Sequence, residues 1–203
     1  MAQGRRLCGR CERPLTTCYC ELITPQTSSW PLRLVQHAAE RSHPRGTARI
    51  AQLSLAGLST HEVADDEPFH PAESDALDWA DAVLIYPTDH PAEQSRDIEE
   101  LKGRAPRPIV FVDGTWRKSK AIVLGSPLLR SLPRYSFQAT SAPRYRVRKA
   151  KRPDFYSTLE AIVAVLNTLE ETDSYSQLLE VMDAMVESEL AFRAAGNQPT
   201  PER

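Results

Sequence analysis

The stretch IVFVDGTWRKSKAIV, residues 109–123, decides the fold of this chain. It begins with four consecutive apolar residues, which are typical of a strand buried on both faces of a parallel sheet. Asp113 and Gly114 end that strand, and residues 116–124 favour a helix. A continuous apolar strand followed directly by a helix is the repeating unit of an α/β protein.

Working outward, the same alternation continues through most of the chain. The predicted elements are strands at 32–36, 61–63, 82–86 and 109–112, helices at 48–56, 93–102 and 116–124, and an irregular basic region at 127–153. A capping-box pattern at 157–160 and a second helix start at 174–177 predict two C-terminal helices. The expected architecture is a mostly parallel sheet with helices on both faces.

Length and composition fit one soluble α/β domain with a small appendage. The chain has 203 residues, of which 41% are hydrophobic and 26% charged. No apolar run approaches the roughly 20 residues of a membrane span, and the basic N-terminus lacks the apolar segment of a signal peptide. We therefore expect a cytoplasmic protein that does not enter membranes. Without a G-x-G-x-x-G or P-loop motif, dinucleotide-binding and P-loop enzymes are disfavoured.

The net charge of −2 hides an uneven distribution. Residues 114–153 carry eleven Lys and Arg and no acidic residue, whereas the chain from Asp154 onward has ten acidic residues and two Arg. Basic clustering of this kind is typical of a surface that meets a phosphate backbone. The alternative is a solvated basic face that acidic helices balance.

All four cysteines lie near the start of the chain, at Cys8, Cys11, Cys18 and Cys20. In a reducing compartment such a cluster is more typical of a metal site than of disulfides. Two close pairs can complete a tetrahedral S4 site for structural Zn²⁺; an Fe–S cluster and four free or redox-active cysteines are the alternatives. We predict a zinc-binding knob at 1–28, a catalytic domain at 29–196 and a disordered tail at 197–203.

Polar residues follow the predicted strands, where ligands bind to parallel sheets. The candidate segments are 36–37, 87–89 and 113–116. Asp113 can accept a proton or hold an amine or a ribose hydroxyl, and Trp116 can stack on a planar base. Helix capping and core packing explain the same residues equally well.

Six motifs stand in a specific order along nearly the whole chain. They are the cysteine set, QHAAERSHPRGTARIAQLSL (36–55), LIYPTDH (84–90), VDGTWRKSKAI (112–122), PRYRVRK (143–149) and STLEA (157–161). This combination resembles the DTW-domain family of tRNA-uridine aminocarboxypropyltransferases. Ala38 departs from the His-Pro-x-Glu pattern of related sequences, which leaves the role of residues 37–40 open. The resemblance implies a SPOUT-like fold with a knot toward its C-terminal side, although general topology rules disfavour knots.

The resemblance also implies a reaction. The 3-amino-3-carboxypropyl group of S-adenosylmethionine (SAM), the co-substrate, would move to N3 of a loop uridine in tRNA, releasing methylthioadenosine. Asp113 is expected to accept the N3 proton or to hold the SAM α-amino group. The implied SAM pocket comprises Pro87, Thr88, Asp113, Gly114, Thr115, Trp116, Ser157 and Thr158. The implied tRNA contacts are Arg49, Arg144, Tyr145, Arg146, Arg148 and Lys149.

Two other functions fit the same residues. A SPOUT-type RNA methyltransferase would use the same co-substrate with its methyl carbon in line with the acceptor. A non-catalytic zinc-bearing RNA-binding protein would need only the cysteine cluster and the basic stretch, but it leaves residues 113–116 without a role. SPOUT proteins often dimerise, whereas DTW-domain proteins need not, and we expect a monomer.

Overall fold

The computed structural model describes residues 6–64, 67–72, 79–87, 95–138, 142–145 and 156–196. The strands are β1 (Gln26–Thr27), β2 (Leu32–His37), β3 (Leu55–Ala56), β4 (Ser59–Val63), β5 (Val83–Ile85), β6 (Arg96–Asp97), β7 (Ile109–Asp113) and β8 (Arg134–Ser136). Within the described residues, six of them form one parallel sheet in the spatial order β4-β2-β7-β5-β8-β6, and β1 and β3 form a separate parallel pair.

Helices alternate with these strands. The α-helices are α1 (Ala48–Ser54), α2 (Trp116–Gly125), α3 (Pro127–Ser131), α4 (Thr158–Leu169) and α5 (Gln177–Gly196). Short 3₁₀ helices occur at Leu15–Thr17, Cys20–Leu22, Ala38–Glu40, Ile98–Leu101 and Ser174–Ser176. None of the helices within the described residues combines the length and apolar character that a membrane span requires.

Strand β7 has its successive side chains in two different apolar layers, as the two-residue repeat of a strand requires. Ile109 and Phe111 pack in one layer with buried residues of α1, α4 and α5. Val110 packs in the other layer with Ile122 of α2 and Leu129 of α3. Helices therefore cover both faces of a parallel sheet, which confirms the predicted α/β architecture.

The parallel register places the ends of three central strands at one edge of the sheet. Gln36 of β2 is the sheet partner of Asp113 of β7, and Val83 of β5 pairs with Ile109 of β7. The segments that follow β2, β5 and β7 therefore leave the sheet on the same side. We call this edge the rim, formed by residues 36–40, 86–87 and 113–116.

Two sequence-based assignments were wrong. Residues 95–102 are not an α-helix: β6 pairs with β8, and Ile98–Leu101 form a single 3₁₀ turn whose two apolar ends are buried. Residues 127–138 are not irregular, because α3 and β8 lie there. Ser126 caps α3 by accepting a hydrogen bond from the Leu129 N–H, and Pro127 stands in the first turn, where proline is favoured.

The N-terminal segment, residues 6–28, packs directly against the elements of the sheet. Cys11, Tyr19 and Ile23 are buried in the same apolar layer as α4 and α5. In addition, β1 pairs with β3, which explains why α1 ends at Ser54 rather than at the predicted residue 56. The division at residue 28 stays a prediction, and the predicted tail at 197–203 lies outside the described residues.

Candidate active site

Asp113, the last residue of β7, has both carboxylate oxygens engaged. The Gln36 side-chain amide donates to Oδ2 at 2.8 Å, and the Thr158 hydroxyl donates to Oδ1 at 2.5 Å. The residue is only 8% exposed. Two donors from different elements, β2 and α4, therefore hold a buried carboxylate in one orientation at the rim.

The residues after Asp113 make a tight strand-to-helix turn. Thr115 begins α2 by accepting a hydrogen bond from the Lys118 N–H at 3.4 Å. A Cβ atom on Gly114 would lie 3.3 Å from the Lys118 Cβ and 3.4 Å from the Ser119 nitrogen, so the first turn of α2 would have to shift by a few tenths of an ångström to accept a larger residue. Helix capping, the structural alternative for Thr115, is confirmed.

Aromatic rings lie on the rim beside this turn. Trp116, the first residue of α2, is 38% exposed, and its ring centroid lies 6.3 Å from that of Tyr86. Pro87 follows Tyr86 and is exposed, whereas Thr88 lies outside the described residues. The rim therefore offers an accessible indole surface on which a planar base can stack.

The loop after β2 adds a second buried carboxylate. His37 and Glu40 are 4% and 6% exposed. The His37 Nδ1 accepts a hydrogen bond from the Ala39 N–H, and the Lys118 Nζ lies 3.6 Å from a Glu40 oxygen. Even with Ala38 in the place of proline, residues 37–40 fold back against α2.

Helix α4 begins at the rim with the predicted capping box. Glu160 accepts hydrogen bonds from the backbone N–H groups of Ser157, Arg144 and Tyr145, at 2.7, 2.6 and 3.3 Å. It is 6% exposed. Its carboxylate complements the helix dipole and holds Arg144 and Tyr145 at the start of α4.

Three predicted tRNA-binding residues have partners inside the protein. The Arg49 guanidinium donates to the Arg10 carbonyl at 2.6 Å, and Arg144 forms an ion pair with Asp183. The Tyr145 hydroxyl donates to the Arg45 carbonyl. Packing and surface charge therefore account for these three positions as well as a tRNA contact does; Arg146, Arg148 and Lys149 lie outside the described residues.

The four cysteines form a compact cluster whose sulfur atoms all lie within 4.8 Å of one another. The Cys8–Cys20 and Cys11–Cys18 sulfur pairs are each 3.7 Å apart. Four sulfurs at about 2.3 Å from a zinc ion stand about 3.8 Å apart in a tetrahedron, so the cluster fits this metal. Hydrogen bonds from the backbone N–H groups of Cys11 and Arg10 lower the pKa of Cys8 to about 6, whereas burial and the neighbouring thiols raise the pKa of Cys20.

Gln36 was predicted to lie at this edge of the sheet with Asp113, but its hydrogen bond to Asp113 and the part played by Gln52 were not predicted. Gln36 is 2% exposed, and its carbonyl oxygen accepts a hydrogen bond from the Gln52 side chain at 3.2 Å. The one signal in the sequence was a glutamine at the end of an apolar strand, since polar side chains in such places need partners. Nothing in the spacing of Gln36, Gln52 and Asp113 indicates that they meet.

Comparison with known proteins identifies related sequences. A family model described as the DTW domain matches residues 5–190. The chain is also similar to tRNA-uridine aminocarboxypropyltransferase 2 of Drosophila melanogaster, with 31% identity over 182 residues that cover 86% of this chain and 71% of that protein. No solved structure matches the chain significantly. The family match includes both the cysteine cluster and the rim.

Proposed function

The chain belongs to the DTW domain family, and on this premise we propose that it is a tRNA-uridine aminocarboxypropyltransferase with SAM as co-substrate. It transfers the 3-amino-3-carboxypropyl group to N3 of a loop uridine and releases methylthioadenosine. The observation that carries the proposal is the family match over residues 5–190, which includes the rim and the start of α4. The relative from Drosophila melanogaster bears the name of the same activity.

The chemistry requires a proton acceptor and a fixed geometry. The bond from uridine N3 to the carbon next to the SAM sulfur forms as the carbon–sulfur bond breaks, and the electron pair of the broken bond leaves with methylthioadenosine. The N3 proton must be accepted, and Asp113 is the carboxylate that we assign to this step. Holding that carbon about 3–3.5 Å from N3 selects this transfer over methylation.

We assign the SAM pocket to the rim and the start of α4. Trp116 offers an exposed ring for the adenine, and Pro87, Thr88, Gly114 and Thr115 complete the predicted pocket. Ser157 and Thr158 remain the predicted contacts of the SAM carboxylate. The Thr158 hydroxyl already donates to Asp113. The carboxylate of SAM would therefore be bound by backbone N–H groups of the first turn of α4.

The tRNA partner follows from the acceptor atom and from the charge of the chain. N3 lies on the Watson–Crick edge, so the target uridine must be unpaired or splayed out. The basic stretch 114–153 supplies cations for the phosphates, and within it we assign this role first to Arg146, Arg148 and Lys149. The intramolecular partners of Arg49, Arg144 and Tyr145 make these three the second choice.

We propose a structural role for Zn²⁺ on Cys8, Cys11, Cys18 and Cys20. Four thiolates close the coordination sphere, so the ion would hold residues 8–20 together and leave no open position for catalysis. We also propose two features of the fold, a SPOUT-like knot and a division into residues 1–28 and 29–196. A monomeric state and a cytoplasmic location are proposed with them.

Nucleoside mass spectrometry tests the proposed function. Unmodified tRNA is incubated with the protein and SAM, digested to nucleosides and compared with a reaction lacking SAM. We expect an aminocarboxypropyl adduct on uridine. A methyl adduct would contradict the proposal and favour an RNA methyltransferase, whereas no adduct and no SAM binding would leave a zinc-bearing RNA-binding protein.

A further inference from the structure

A chain of polar side chains runs from the protein surface to Asp113. The Gln52 amide nitrogen is 3.3 Å from the Thr60 hydroxyl and donates to the Gln36 carbonyl at 3.2 Å. The Gln36 amide nitrogen in turn donates to Asp113. Thr158 of α4, which packs in the same apolar layer as α1, donates to the other carboxylate oxygen.

The direction of each hydrogen bond follows from the charge at the end of the chain. An ionised carboxylate only accepts hydrogen bonds, so the Gln36 amide must turn its nitrogen toward Asp113 and its oxygen toward Gln52. The nitrogen of Gln52 must then face Gln36. Two glutamines are therefore oriented by one carboxylate, and they restrict its rotation in return.

This arrangement is costly unless its polar groups are all paired. Gln36 lies in β2 beside Val35, which is fully buried, and an apolar residue there would avoid the desolvation of an amide. A stable sheet edge alone does not require a buried amide and a buried carboxylate in contact. The contact between Gln36 and Asp113 has a purpose if binding at the rim depends on the orientation of the Asp113 carboxylate.

We propose that Gln36 and Thr158 are positioning residues that hold the Asp113 carboxylate toward the bound substrates, with Gln52 fixing the amide of Gln36. This inference rests on the proposed function, because it is the transfer reaction that uses Asp113. The hydroxyl of Thr158 and the amide of Gln36 act through Asp113 and need not touch either substrate.

Substitutions at Thr158 test the proposal, because valine removes the hydroxyl with little change in shape. We expect Thr158→Val to lower kcat about 10- to 100-fold, the range for a lost hydrogen bond to a charged group, in protein that stays folded at the assay temperature. Thr158→Ser, which keeps the hydroxyl, should retain near-normal kcat. Thr168→Val is the matched control, since Thr168 is half-buried ten residues further along α4.

A double-mutant cycle separates positioning from a general structural role. If Thr158 acts through Asp113, its removal adds nothing once Asp113 is replaced, so Asp113→Asn/Thr158→Val should match Asp113→Asn in kcat and SAM affinity. Gln36→Met should also lower kcat, because it removes the other hydrogen bond to Asp113.

The possible results distinguish the two proposals. Multiplied losses in the double variant, or a Thr158→Val loss no larger than that of Thr168→Val, would overturn the positioning role while leaving the transferase intact. A wild-type protein that neither modifies tRNA nor binds SAM would overturn the proposed function, and the positioning role with it.

Discussion

The cysteine cluster and the rim are built in opposite ways. The four cysteine side chains of the cluster all come from residues 8–20, and a short stretch of chain brings them together. At the rim, the two donors to Asp113 are 77 and 45 residues away from it in sequence. The cluster is a local motif, whereas the rim exists only when the parallel sheet and α4 are assembled.

This difference predicts separate consequences of mutation. Damage at the rim should affect chemistry without affecting the folding of the N-terminal segment, and damage at the cluster should do the reverse. The two regions are also in direct contact: Arg13 donates to the Pro44 carbonyl in the loop after β2, and Cys11, Tyr19 and Ile23 are buried in the apolar layer of α4 and α5.

The largest effect is expected from Asp113→Asn. If Asp113 is the base, turnover should fall about 10²- to 10⁴-fold while SAM affinity stays near normal, as measured by single-turnover kinetics and calorimetry. Asp81→Asn is the control, since Asp81 is exposed and precedes β5 at the opposite edge of the sheet. A parallel loss of SAM affinity would instead assign Asp113 to the SAM α-amino group, and full activity would remove it from the site.

Loss of the metal site is the next largest expected effect, and it is seen in stability. Cys8→Ser should abolish stoichiometric zinc and lower the melting temperature, because a closed S4 site contributes directly to folding. Proteolysis should cut residues 6–28 first. The folded fraction of the Cys8→Ser variant should have a higher turnover than the Asp113→Asn variant. Unchanged stability and zinc content after this substitution would refute a structural metal at these cysteines.

Charge reversal in the basic stretch should weaken tRNA binding without changing SAM binding. For Arg148→Glu/Lys149→Glu we expect the slope of log affinity against log salt to fall by about 1 for each phosphate that the variant no longer binds. Lys102→Glu/Arg104→Glu, which changes the net charge by the same amount in a different part of the chain, is the control. An unaltered slope in the double variant would place the tRNA surface elsewhere.

The smallest effect concerns the junction between the N-terminal segment and α4, where Ser28 and Ser29 donate hydrogen bonds to Glu170. Burial alone would raise the pKa of Glu170, but hydrogen bonds from Tyr175, Ser28 and Ser29 outweigh it and lower that pKa below its ordinary 4.5. A lowered folded-state pKa contributes stability above the unfolded value, and this is lost as pH falls through the folded value.

Thermal unfolding at several pH values measures that contribution. The wild-type protein should lose stability below about pH 4.5 partly through this group, and Glu170→Gln should be less stable at neutral pH with a smaller acid-side decline. Glu171→Gln provides the neighbouring control. Identical pH profiles for wild type and Glu170→Gln would show that the junction contributes nothing measurable.

The features that could be read from the sequence are those encoded within a few residues. The spacing of Cys8 to Cys20, the capping box at Ser157 and the apolar run before Asp113 each carry their own signal, and the structure contains all three. The alternation of apolar strands with helices predicted the parallel sheet. The polar residues that follow those strands then predicted the rim.

The features that were missed depend on chain segments meeting in space. The Gln52–Gln36–Asp113 chain joins α1, β2 and β7, and no local pattern marks it. Ile98 and Leu101 have helical spacing, yet they fit a single 3₁₀ turn that directly follows β6. Arg144 belongs to a basic run, but Asp183 of α5 lies close enough to pair with it.

The small-molecule product of the reaction shows which group of SAM is transferred. Purified protein is incubated with SAM and unmodified tRNA, and the nucleosides released into solution are separated by liquid chromatography. Our account predicts one methylthioadenosine for each modified uridine and none in the absence of tRNA. Release of S-adenosylhomocysteine in its place would contradict the account, because the methyl group would then be the one transferred.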